Sequence, residues 1–227
     1  MTPFFIFNNI SSEDYFILNK LPFIVKATKD IEKIEIPGRD GFLTNDLGSY
    51  RGIIKSVECT IRNLDDIDFI CSWLTGNGEV IFSNELDKVY KATIINQIDF
   101  SKILRQFHSF LIQFECQPHK YSLSNDIITL TTTPQTILNS GSANSRPIIK
   151  VFGTGAITLT INSKVVTLTN IVDYVTIDSE MMDCYKDTLL KNNDMNGEFP
   201  ELIPGNNTIS WTGTVTKIEI TPNFRNI

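Results

Sequence analysis

Period-two alternation of apolar and polar side chains dominates the chain. In "KSVECTIRN" (residues 55–63), Val57, Cys59 and Ile61 fall on one side, and Ser56, Glu58, Thr60 and Arg62 on the other. Successive strand side chains point to opposite faces, so this pattern predicts a half-buried strand. "EVIFS" and "DKVYKATIINQIDF" predict two more strands, joined near Asn84 and Glu85. "FHSFLIQFECQPHKY" alternates Phe110, Ile112, Phe114 and Cys116. It is expected to end at Pro118, which cannot donate to a sheet ladder.

One segment has a helical period. In "RNLDDIDFICSWLTGNG", Leu64, Ile67, Ile70, Cys71 and Leu74 follow the three-and-four spacing of one helix face. Asn63 is expected to cap its start. Asp65 and Asp66 suit the positive end of the helix dipole better than a metal pair. Gly76 and Gly78 are expected to end it, because glycine accepts the left-handed backbone found past helix ends.

From residue 117 to 147 Ser, Thr and Asn become frequent, which marks a domain junction. We place the domains at residues 1–124 and 125–227. In the second, Ile157, Leu159 and Ile161 face one way, and Thr158 and Thr160 the other. Asn162-Ser163-Lys164 is a tight connection to Val165, Val166 and Leu168. "DYVTIDSE", "NNTISWT" and "VTKIEITP" add short strands. The expected fold class is mainly β: an α+β N-terminal half with one helix, then an antiparallel β-sandwich.

The stretch "IPGRDGFLTNDLGSY" (36–50) interrupts the strand pattern with three glycines and a proline. A phosphate cradle needs glycines opening a helix, with a Lys-Ser/Thr pair, and this stretch has neither. Its glycines read as turn formers. Arg39 and Asp40 are then placed for local or cross-subunit ion pairs, arginine being suited to bidentate carboxylate contacts.

With 227 residues and 41% hydrophobic content, the chain can build one large or two modest cores. A net charge of −6 without a Lys/Arg cluster argues against nucleic acid or an anionic membrane as partner. Cys59, Cys71, Cys116 and Cys184 form no CxxC pair and read as buried free thiols of a reducing compartment. The N-terminus has no basic leader or cleavage site, so no signal peptide is expected. No apolar run approaches the roughly 20 residues of a membrane span, so no membrane insertion is expected. The acceptor patterns at Asn9 and Asn206 are then chance matches.

Candidate chemistry is sparse. His108 and His119 are the two histidines, and no HExxH, GxSxG, CxxC or P-loop pattern occurs. No catalytic, cofactor or metal residues are expected, which disfavours an enzyme such as a wall hydrolase. Asp178, Glu180 and Asp183 lack the spacing of a calcium loop. Gly153-Thr154-Gly155 reads as a turn, since a nucleotide fingerprint needs a third glycine and a helix. Trp211 is either a packing residue or an aromatic platform for sugar.

The ordered set "EIPGRDGFLTNDLGSYRG", "ICSWLTGNGEVIFS", "DKVYKATI", "FECQPHKYS" and "NDMNGEFPELIPGNNTISW" resembles the distal tail (Dit) protein family of siphophages infecting Gram-positive bacteria. The resemblance covers nearly the whole chain. It implies a structural protein, not an enzyme. The N-terminal half would be a tail-tube-like β-sandwich or barrel with one helix and an extended arm. The C-terminal half would be a galectin-like β-sandwich. It implies a homo-hexameric ring joining the tail tube protein to the tail-associated lysin or tail-fibre hub and a receptor-binding protein. DNA would pass through the lumen without specific binding. The protein would be part of the virion, assembled in the host cytoplasm. On this reading Pro37, Gly38, Arg39, Asp40, Gly41 and Tyr50 are expected at a subunit interface. The alternative is a carbohydrate-binding adhesin that recognises the host wall through the C-terminal domain and Trp211.

Overall fold

The computed structural model describes residues 2–61, 64–104 and 107–227. The chain divides into two compact units, Met1–Leu123 with Ile227, and Ser124–Asn226. It is mainly β with one α-helix among the described residues. No helix there is long and apolar enough to cross a membrane.

The first unit runs β1 (Phe5–Phe7), β2 (Ile10–Ser11), β3 (Ile17–Lys20), β4 (Lys29–Glu35), β5 (Phe42–Tyr50), β6 (Ile53–Ile61), α1 (Ile67–Trp73), β7 (Asn77–Phe82), β8 (Lys88–Ile94), β9 (Ser101–Leu104) and β10 (Phe107–Ser122). The main sheet has the order β2-β1-β7-β8-β10-β6-β3, with β9 also on β10, while β4 and β5 form a separate two-stranded sheet. Val57, Cys59 and Ile61 on β6 face Phe110 and Ile112 on β10 across an antiparallel ladder, all of them buried. The alternation that predicts β6 is therefore the alternation of core and solvent. Aromatic rings fill this core: Phe114 meets Phe5 at 5.3 Å and Phe82 at 5.7 Å, both edge-on.

Three expectations change here. The strand expected to stop at Pro118 runs on to Ser122. Its ladder with β8 slips between Cys116 and Lys120, so no ladder bond is asked of the proline nitrogen. The helix starts at Ile67 from Asp66, whose side chain makes no capping bond. The expected cap, Asn63, lies outside the described residues, as does Arg62. Its buried side chains are Ile70 and Trp73, with Leu74 just beyond, whereas Leu64 and Cys71 are exposed. The indole of Trp73 takes the inner position and donates to the carbonyl of Phe7 at 2.9 Å. Gly76 follows the helix with φ +71°, while Gly78 already belongs to β7.

The second unit runs β11 (Ile128–Leu130), β12 (Gln135–Asn139), β13 (Ile148–Ile161), β14 (Lys164–Ile171), β15 (Tyr174–Asp178), β16 (Asp183–Lys186), β17 (Leu189–Leu190), β18 (Met195–Asn196) and β19 (Gly205–Thr221). The path is β11-β19-β13-β15-β16-β17, with β12 on β19, and β14 on β13 and β18. Asn162 and Ser163 close the two-residue β13–β14 hairpin, with Asn162 at φ +55°. "NNTISWT" and "VTKIEITP" are one strand of 17 residues, not two.

Both long strands, β13 and β19, serve two neighbourhoods. Residues 148–152 of β13 pair with β15 and with 217–221, and residues 158–161 pair with β14 and with 209–212. The register slips between Phe152 and Gly153, and again between Thr154 and Thr158. Ile149, Val151, Ile157, Leu159, Ile209 and Ile218 nevertheless share one core, so the sheet curls over itself at the slip. Gly153-Thr154-Gly155 is thus a bend inside β13 and not a turn between elements. Gly213 makes the bend possible: its φ is +98°, and a Cβ there would stand 2.4 Å from the carbonyl of Ala156.

Candidate assembly surface

The segment from Lys29 to Tyr50 folds as a two-stranded ribbon. Glu32 pairs with Asn45, Lys33 with Thr44, Ile34 with Leu43 and Glu35 with Phe42. The turn at its tip has Pro37 second and Gly38 third with φ +81°, and the Arg39 N–H donates to the carbonyl of Ile36 at 3.1 Å. That is the signature of a type II turn, which needs a positive φ at its third residue. The stretch expected to be loop from 36 to 50 is therefore loop only as far as Gly41.

Every residue from 31 to 49 is exposed. They include six large apolar side chains: Ile31, Ile34, Ile36, Phe42, Leu43 and Leu47. Directly opposed residues share a face, so Ile34 and Leu43 lie on one side of the ribbon and Phe42 on the other, under the ammonium of Lys33 at 4.6 Å. A lone two-stranded ribbon is marginal in water, and one with apolar groups on both faces needs a surface to cover it.

The root of the ribbon is tied down by charge. Lys29 pairs with Asp46. The Arg51 guanidinium donates twice to one oxygen of Asp30, at 2.6 and 2.8 Å. Tyr50 packs against the first core with its ring 5.8 Å from that of His119, edge-on. The six expected interface residues thus separate: Pro37, Gly38, Arg39, Asp40 and Gly41 form the exposed tip, and Tyr50 anchors the root. Among the described residues Arg39 and Asp40 make no ion pair, so the local pairing expected of them is not used.

A second exposed apolar segment leads into the ribbon: Phe23, Ile24 and Val25. It is pinned from beneath. Lys55, 1% exposed, donates to the carbonyl of Phe23 at 3.1 Å, and the Asn84 amide donates to that of Pro22 at 3.1 Å. Glu85 balances the buried ammonium at 3.8 Å while accepting from Lys120 and from the Tyr90 hydroxyl, each at 2.5 Å. Burial pushes the Lys55 pKa below its ordinary value, and the charge of Glu85 opposes that shift. For Glu85 burial pushes upward, but the bonds from Lys120 and Tyr90 and the two lysine charges outweigh it and hold the carboxyl below its usual range. Sequence reading missed this group although Lys55 shares the phase of Val57, Cys59 and Ile61 on β6, because alternation alone does not show where the counterion of an inward lysine comes from.

The remaining candidates disperse. Asp178 accepts from the backbone N–H groups of Glu180 and Met181, Glu180 faces Arg146 and Arg225, and Asp183 accepts from Asn192. Among the described residues no three His, Cys, Asp or Glu side chains converge as a metal would require. Trp211 is half-buried on β19 opposite Leu159, packed on the second core.

A family model described as "Phage tail protein RIFT-related domain" matches residues 8–116. No curated protein sequence matches the chain. Among solved structures, the chain is similar to SPP1 Dit, presented as a paradigm of the hub adsorption apparatus in phages infecting Gram-positive bacteria. The TM-score is 0.77 at 15% identity, covering 97% of this chain and 98% of that one. Two structures of the phage p2 baseplate in its activated conformation also align. The strontium form has TM-score 0.48 and 9% identity over 96% and 98% of the two chains. The calcium form has TM-score 0.49 and 8% identity over 97% of each.

Proposed function

We propose that this chain, which carries a phage tail RIFT-related domain over residues 8–116 and has the fold of SPP1 Dit, is the distal tail hub of a siphophage. Six copies close into a ring that joins the tail tube to the tail-tip and host-adsorption proteins. The observation that carries this reading is the ribbon 29–50. It is an extended arm with apolar residues on both faces, on a chain that aligns with a Dit hub along almost its full length.

A closed ring needs head-to-tail contacts, in which one surface of each subunit meets a different surface of the next. The ribbon supplies one partner of such a contact: its six apolar side chains bury against the neighbouring subunit, and Arg39 and Asp40 find ion pairs there. The first unit forms the ring wall. The curled antiparallel sheet of the second supports a galectin-like reading. The net charge of −6 suits a lumen through which DNA slides without binding. The protein then resides in the virion, at the tail tip, after assembly in the host cytoplasm. Electron microscopy of the purified full chain tests this: sixfold rings are expected, and a strict monomer at all concentrations would overturn it.

A further inference from the structure

We infer that the strap Phe23-Ile24-Val25 of one subunit receives the Ile34–Leu43 face of its neighbour's ribbon. The inference rests on the ring reading and supplies the second of the two surfaces that a head-to-tail contact requires. The occupant of the strap is thus a second copy of this chain.

The strap is apolar and exposed, yet fixed. Phe23, Ile24 and Val25 are 72%, 60% and 46% exposed. Both ends are anchored. Leu21 packs on the first core, Ala27 is buried in it, and the Thr28 carbonyl accepts from the Arg51 N–H at 2.9 Å. Between them, the carbonyls of Pro22 and Phe23 are held by Asn84 and Lys55. The Lys55 ammonium also lies over the Tyr90 ring, 4.5 Å from its centroid. A buried charge is costly unless it is paired and hydrogen-bonded, so an ammonium committed to a loop carbonyl marks backbone that has to be held in place. Holding an apolar surface in one shape beforehand reduces the entropy lost on docking. A fixed backbone with its apolar side chains outward is a preformed contact surface.

Charge selects what covers it. Lys20 and Lys26 flank the strap, and the Lys20 ammonium stands 4.9 Å from the centroid of the Phe23 ring. Among the described residues neither lysine has an acidic partner. The ribbon offers the opposite sign on one face. Strand side chains alternate, so the face that carries Ile34 and Leu43 also carries the opposed pair Glu32 and Asn45. Between residues 32 and 45 that face is apolar with one negative charge and no cation. The other face carries Lys33 against Phe42. Complementary charge fixes the register of such contacts, and the Glu32 face is the one that suits two lysines. Within one chain the strap and the ribbon leave each other exposed, so the match can be made only between copies.

Photocrosslinking and a charge cycle on the full chain test this. With p-benzoylphenylalanine in place of Ile24, and isotope-labelled chain mixed with unlabelled, mass spectrometry should find mixed-isotope products joining Ile24 to residues 32–45. The double variant Lys20→Glu, Lys26→Glu should weaken assembly about tenfold by light scattering, and Glu32→Lys should recover about threefold or more in that background while weakening the parent. In an assembling chain, crosslinks that fall elsewhere or within one chain overturn the inference and leave the ring standing. Charge effects that simply add do the same. A chain that stays monomeric overturns the ring and this inference together.

Discussion

Ile34 and Leu43 face each other across the β4–β5 ribbon, and both are open to solvent, at 44% and 42%. A cross-strand pair on the same face normally covers a core. Here the pair sits on a ribbon whose residues 31–49 are all exposed, so its further burial has to come from outside. Each such side chain is worth roughly 1.5–3 kcal/mol when fully buried. The double variant Ile34→Asp, Leu43→Asp should therefore weaken each subunit contact by a factor of about 100 or more. Light scattering should show monomer where the parent assembles, with the circular dichroism spectrum unchanged.

Glu85 should be the most sensitive single position in the first unit. Removing its charge leaves Lys55 buried without a counterion, which costs about 3–5 kcal/mol. Glu85→Gln should thus lower Tm by on the order of 10 °C or more. The pH dependence follows from the direction of the shift. The folded pKa lies below the ordinary 4.5, so the carboxylate's contribution is complete above that value and is lost as pH falls through the folded pKa. The Tm gap between parent and variant should therefore be widest near neutrality and close on acidification below 4.5.

Gly213 and Gly38 both have positive φ, but only one is crowded. At Gly38 a Cβ meets nothing within 4 Å, whereas at Gly213 it would stand 2.4 Å from a backbone oxygen. Gly38→Ala should cost about 1–2 kcal/mol of local strain. Gly213→Ala should cost that and more, because the bend joining the two halves of the second core must shift. Denaturant unfolding of the two variants should rank them in that order.

Thiol labelling provides an inexpensive check on the core. Burial pushes the Cys116 thiol up to about 12 and that of Cys184 up to about 11, and raises Cys59 further still. Cys71 is exposed on the helix. An aromatic disulfide reagent should modify one thiol per native chain quickly and all four after denaturation. Rapid reaction of a second thiol would show the core packing to be wrong.

Much of the fold was legible because burial and alternation coincide, as at Val57, Cys59 and Ile61, or at Ile157, Leu159 and Ile161. Where that coincidence fails, so does the reading. Strand β5 was hidden because Phe42 and Leu43 are adjacent and point to opposite faces, and a ribbon buried on neither face keeps no single period. Trp73 displaced Cys71 from the helix's inner face because a large ring reaching Phe7 fills the gap that a thiol would leave. Gly153 looks alike in sequence whether it turns a chain or bends a strand.

Photocrosslinking from Phe42 tests the central claim most directly. Phe42 is 51% exposed near the ribbon's tip, and p-benzoylphenylalanine can replace it without disturbing a core. Irradiation of the purified full chain should give a ladder of covalent oligomers on a denaturing gel, ending at six times the 25.7 kDa chain. A product that stays at the mass of one chain, at concentrations where the parent is assembled, would contradict the ribbon as the subunit contact.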